Sequence, residues 1–169
     1  MSKINYQPIA QGLIIKCLYK GGKTMENQLI ITADLEDYTA GLTGKLSVDG
    51  FCGFGEGWFN TSEIREFCQS LSQLALNLTG SAELIAGQSK SDGSEYLERF
   101  GIRCYVISKT GVIGLHVSLS HCPYYDCRNE QVLKISGEIM AEVQPVLDFC
   151  NQLQSLCTGS VSEVILKAR

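Results

Sequence analysis

Apolar and polar residues alternate through Leu29, Ile31, Ala33 and Leu35, predicting a half-buried strand. Asp37 to Gly41 reads as a turn, and Leu42, Gly44, Leu46 and Val48 then line one face of a second strand. Asp49-Gly50 is a hairpin dipeptide, because Gly tolerates the positive φ of a type I′ turn. The third strand, Phe51 to Phe59, sets Gly53, Gly55 and Gly57 on one face and Cys52, Phe54 and Trp58 on the other. Bare glycines on one face admit a second backbone or an aromatic ring at close range. No Lys-Ser/Thr follows them, so the run does not read as a phosphate-binding loop.

The period then lengthens to that of a helix. Asn60 is a good N-cap, and Glu63 three residues on can complete a capping box. Ile64, Phe67, Cys68, Leu71, Leu74 and Ala75 form one apolar stripe, with Glu66, Gln69 and Gln73 outward. A Thr79-Gly80-Ser81 turn leads into a strand over 82–86, and Gly87 to Ser94 is a polar, flexible boundary.

The second half repeats this pattern. Strands are predicted over 103–108, along Ile113, Leu115, Val117 and Leu119, and over 132–143 with Leu133, Ile135 and Ile139 inward. Pro145 suits the first position of a second helix with a stripe of Val146, Phe149, Cys150, Leu153, Leu156 and Cys157. Thr158-Gly159-Ser160 and a strand over 161–166 close the chain. Glu66-Phe67-Cys68 returns as Asp148-Phe149-Cys150, and Gly41 to Gly44 returns as Gly111 to Gly114. The expected fold is α+β: a predominantly antiparallel sheet built from two βββαβ-like halves, with two amphipathic helices on one face. The expected organisation is a single domain over 25–169 with an internal duplication, about 28–86 and 102–167.

Composition narrows the function classes. The chain has 169 residues, 44% hydrophobic and 19% charged, which suits one globular domain. A net charge of -4 is the wrong sign for a phosphate-binding surface, so nucleic acid is not an expected partner; the acidic balance reads first as an ordinary solvated surface, with a basic protein partner as the alternative. No apolar run approaches the ~20 residues that span a bilayer, so no membrane association is expected. The eight cysteines (17, 52, 68, 104, 122, 127, 150 and 157) show no framework spacing and no CxxC. They read as reduced thiols in a cytoplasm, several at positions for a small buried hydrophobe.

Residues 1–24 differ from the rest, with four lysines and no acid, against 10 basic and 18 acidic residues in the remainder. Gly21-Gly22 can be encoded as a ribosome-binding sequence, with Lys23-Thr24 as spacing before a start codon at Met25. Two expectations follow for 1–24: a translated leader ahead of a natural start at Met25, or an edge strand over 12–18.

Candidate chemistry is sparse, and no catalytic residue, cofactor or metal is expected. His116 lies on the polar face of its strand beside Ser118 and reads as a surface residue. The cluster His121-Cys122-Pro-Tyr-Tyr-Asp-Cys127 has residue types for a zinc site or a Cys-His nucleophile, but neither spacing nor a second motif supports them. It reads as a surface loop whose Tyr124, Tyr125, Asp126 and Arg128 are of types enriched at binding surfaces, and these four are the candidate partner-binding residues. Glu138 and Glu142 read as a solvated pair on one strand.

The order of elements carries a resemblance. Strands ending in Gly57-Trp58-Phe59, a helix with Phe67, Leu71 and Leu74, a TGS-type turn, three strands and a second helix of the same design resemble the WapI-like bacterial immunity proteins. The likeness covers about 28–166. It implies a small bacterial cytoplasmic protein that neutralises a cognate toxin domain by direct binding; no catalysis is expected, and the expected state is a monomer or homodimer. It carries over no binding residue. Two alternatives stand beside it: a structural or regulatory interaction module on the same fold, or a small ligand-binding or Cys-dependent enzyme using the 120s loop or the Gly-rich strand.

Overall fold

The computed structural model describes residues 26–89, 96–122 and 127–169, together with the backbone of Ile15 and Lys16. The elements run β1 (Ile15–Lys16), β2 (Gln28–Leu35), β3 (Thr39–Val48), β4 (Phe51–Asn60), α1 (Thr61–Asn77), β5 (Ser81–Ser89), β6 (Tyr96–Ser108), β7 (Val112–His121), β8 (Leu133–Glu142), α2 (Val143–Cys157) and β9 (Val164–Lys167). The fold is α+β and mostly sheet, as the alternating pattern predicts. The strands divide into two antiparallel four-stranded sheets, β4-β3-β2-β9 and β5-β6-β7-β8. The two-residue β1 pairs with β4 at the edge of the first, Ile15 opposite Cys52. The rest of 1–25, on which the leader expectation falls, lies outside the described residues.

The order βββαβ occurs twice, as β2-β3-β4-α1-β5 and β6-β7-β8-α2-β9. The last strand of each run joins the sheet of the other. β5 pairs with β6, Ala82 opposite Cys104, and β9 pairs with β2, Leu166 opposite Leu29. Helix α1 packs on β5, α2 packs on β9, and the helices pack on each other.

Local sequence accounts for most of these elements. Asp49 and Gly50 take φ of 50° and 82°, the two positive values of the I′ turn. The Asn27 side chain pins that turn, donating to Asp49 Oδ1 at 3.0 Å and accepting from the Asp49 N–H at 2.8 Å. Asn60 caps α1, and its backbone N–H donates to Glu63 Oε2 at 2.6 Å. The buried stripe of α1 is Ile64, Phe67, Cys68, Leu71, Leu74 and Ala75, all six as the 3.6-residue period predicts. In α2, Val146, Phe149, Cys150, Leu153 and Leu156 are buried and Cys157 is half-buried.

Some boundaries move. Helix α2 begins at Val143, so Pro145 is its third residue; the first turn has no intrahelical acceptor for that position, so its missing N–H costs nothing there. Strand β5 runs on to Ser89 and β6 starts at Tyr96, so hydrogen-bonded ladder replaces part of the predicted flexible stretch. Leu133 is 40% exposed rather than inward, because it lies at the open end of β8, whereas Ile139 is fully buried.

The sheets meet along β4. A Cβ on Gly55 would collide with the Arg99 carbonyl oxygen and lie 2.7 Å from the Ser120 nitrogen, so the glycine face of β4 lets two backbones touch. Phe100 fills the space beside it, edge-on to Phe59 at 5.5 Å and 75°.

Candidate protein-binding face

With Gly55, Gly57 and Phe59 turned inward, β4 presents Phe54, Glu56 and Trp58 to solvent. Phe54 and Trp58 point outward and are 50% and 53% exposed, an uncommon placement for large aromatics on a strand. Strand register extends this face across the first sheet. Trp58 lies opposite Gly41, which lies opposite Asp34; Glu56 lies opposite Thr43 and Thr32; Phe54 lies opposite Lys45 and Ile30. A Cβ on Gly41 would come within 2.9 Å of the Trp58 ring, so the indole rests flat on the bare β3 backbone. Tyr38, 81% exposed in the β2–β3 turn, stands at the same end of the sheet.

Two side chains of the second sheet hold this strip in place. Arg99 Nη2 donates to Glu56 Oε1 at 3.3 Å and Nη1 donates to Gln88 Oε1 at 3.2 Å. His121 packs its ring on Phe54 with centroids 4.9 Å apart. The strip is therefore braced from both sheets, which lowers the entropy lost when a partner orders it.

The loop beside His121 is closed by a disulfide between Cys122 and Cys127. Cys52 is disulfide-bonded as well. Here the expectation of reduced thiols throughout is corrected: Cys122 and Cys127, five residues apart and without a framework spacing, are brought together across the 120s segment. Cys68, Cys104, Cys150 and Cys157 are free, and the first three are buried. Burial pushes the Cys104 and Cys157 thiols up, away from the reactive thiolate. Cys68 is pushed up by its hydrogen bond with Cys150 across the helix pair, and then by burial. The bonded Cys122 and Cys127 present neither a thiolate pair for zinc nor a nucleophile for His121.

Of the four residues predicted to bind a partner, Tyr124, Tyr125 and Asp126 lie outside the described residues. Arg128 is exposed at the start of a short 3-10 helix, Asn129–Gln131, and its N–H donates to Gln131 Oε1 at 3.1 Å. Sequence reading passed over Phe54, Trp58, Tyr38 and Asp34. The signal was present in the aromatics alternating with glycine, but it becomes legible only once the glycine side is known to be the buried one.

No protein-family model, curated protein or solved structure matches this chain. The functional reading therefore rests on the residues and their arrangement.

The outward face of the second sheet carries the half-exposed Tyr105, Ile107 and Met140 beside a polar row that is internally paired. Glu83, Arg103, His116 and Glu138 lie in one cross-strand row. Arg103 Nη1 donates to Glu98 Oε1 at 2.9 Å, with a second bond from Nη2 to Oε2. Tyr105 lies over Gly114 to donate to Glu138, and His116 Nε2 is 2.8 Å from Ser136 Oγ, so the half-buried His116 is the surface residue its sequence position predicts. Glu138 is thus bonded rather than simply solvated. That bond holds the Tyr105 phenol up at about 12, because its ionisation would set two negative charges together.

Hydrogen bonds from Arg103 hold the Glu98 carboxyl below its usual value, against an opposing contribution from burial. A depressed carboxylate contributes stability that is present above its unfolded pKa and lost as pH falls through the folded one. Glu98→Gln is expected to lower stability by about 1 kcal/mol at neutral pH, the discount reflecting side chains 23% and 37% exposed. The gap from wild type should close as pH drops below the ordinary glutamate range. Urea unfolding across pH measures it, and a constant gap would show that the ion pair is not its source.

A cleft of about 430 Å³ lies between α2 and β9, lined by Glu142, Asp148, Lys167 and Arg169 among others. Its cations are already matched, Arg169 to Glu142 at 3.8 Å and Lys167 to Glu26 at 2.7 Å. Among the described residues no group of three or more His, Cys, Asp or Glu side chains is placed to hold a metal ion, and no helix is long and apolar enough to cross a membrane.

Proposed function

We propose that this protein is a non-catalytic protein-binding domain of the immunity type, neutralising a toxin domain by gripping it on the outward face of the first sheet. The observation that carries this reading is the exposed aromatic strip: Phe54 and Trp58, half out in solvent, on a strand whose other face is glycine packed against the second sheet. Rigid aromatics bury area at low entropic cost and dominate binding energy at interfaces. Exposed apolar surface rimmed by polar residues marks interaction sites, and here Glu56 and Asp34 flank the aromatics. His121, packed on Phe54, adjoins the disulfide-bonded Cys122, and the proposal keeps Arg128 in the interface as the described member of the 120s segment.

The test is co-expression of tagged protein with the C-terminal domain of a large secreted protein encoded immediately upstream, whose absence from the locus would itself count against the reading. The reading expects 1:1 capture and rescue of growth. Trp58→Ala should weaken capture by about 2 kcal/mol, roughly 30-fold in Kd, while leaving the thermal transition nearly in place. Absence of capture by folded protein, or capture indifferent to Trp58→Ala, would overturn it.

A further inference from the structure

We infer that the Trp58 end of this face receives a cationic side chain, an arginine or lysine displayed by the protein partner. The inference rests on the reading of this face as the partner surface, and three observations narrow the occupant. The indole lies flat on Gly41, so one ring face is covered by backbone and the other is open to solvent. An open indole face attracts a cation through its quadrupole and stacks well on a planar guanidinium. Register then places carboxylates around it, Asp34 across Gly41 and Glu56 two residues along the same face of β4. Glu36 and Asp37 occupy the adjoining turn beside the exposed Tyr38.

The local charge balance agrees. Two cations stand on or beside this face: Arg99, bonded to Glu56 and Gln88, and Lys45, at the far end opposite Phe54, which leaves Asp34 and the turn carboxylates nearest the indole. Asp34 has no ion-pair partner among the described residues. A phosphate or carboxylate ligand would meet like charge here, and a purely apolar segment would strand Asp34 against it. A guanidinium or ammonium satisfies ring and carboxylate together.

Trp58 is the single tryptophan of the chain, so its emission reports on this site alone. The full-length protein is titrated with an acetylated, amidated tri-arginine peptide and with its tri-citrulline counterpart, which keeps shape and hydrogen bonding but removes the charge. A saturable emission change is expected for tri-arginine, at least about 10-fold weaker for tri-citrulline and lost in high salt. Asp34→Asn should weaken binding about 5-fold. Glu83→Gln, the same charge change on the outward face of the other sheet, should not. Equal response to the two peptides, no saturable response, or equal loss in both variants would overturn the inference, the last by showing only attraction to an acidic protein. Partner capture separates this inference from the reading beneath it. Capture lost in Trp58→Ala but unchanged in Asp34→Asn removes the cation and leaves the face; capture unchanged in both removes the face.

Discussion

Gly55→Ala is expected to destabilise the protein by about 3 kcal/mol or more, although it adds a single methyl group to an ordinary strand position. The added Cβ would collide with the Arg99 carbonyl and sit 2.7 Å from the nitrogen and 3.0 Å from the oxygen of Ser120. All three atoms are backbone within the β6–β7 pair, so no side chain can swing aside. The sheets must separate, and the Glu56–Arg99 bond and the Phe54–His121 contact that brace the exposed strip separate with them. Gly137→Ala is the matched control. A Cβ there meets side-chain atoms of Val48 and Leu46 at 3.5 and 3.6 Å, ordinary contact, so it should change stability by under about 0.5 kcal/mol. Urea unfolding of both variants decides the matter. Equal effects would mean that the backbone approach at β4 does not hold the sheets in register.

Phe100→Ala should cost about 3–5 kcal/mol. Phe100 is fully buried and stands between the sheets, against the positions where Gly44 and Gly57 lack side chains and edge-on to Phe59. Its removal leaves a cavity floored by glycine, and backbone cannot collapse into the gap as a flexible side chain would. The cost should therefore fall at the upper end of the range. A cavity of this kind also takes up a small apolar ligand. Recovery of part of the thermal stability on adding benzene would mark an intact cavity, whereas a loss under about 1.5 kcal/mol would show that the sheets close over it.

What the chain makes legible in advance is whatever short-range periodicity controls. The apolar stripes of α1 and α2, the Asn60–Glu63 cap and the I′ turn at Asp49-Gly50 depend on residues within a few positions of each other, so pattern and propensity suffice. The recurring βββαβ order is legible for the same reason. Strand assembly is different. That β5 leaves its own run to pair with β6, and β9 returns to pair with β2, depends on partners that period-two alternation cannot name, because any such strand suits several neighbours. The candidate surface follows that logic. Alternation in β4 separates Gly53, Gly55 and Gly57 from Phe54 and Trp58, but hydrophobicity alone would send the aromatics inward. Packing against Arg99, Phe100 and Ser120 reverses the choice, because only a strand face without side chains lets the two sheets come this close, and that leaves the indole of Trp58 in solvent.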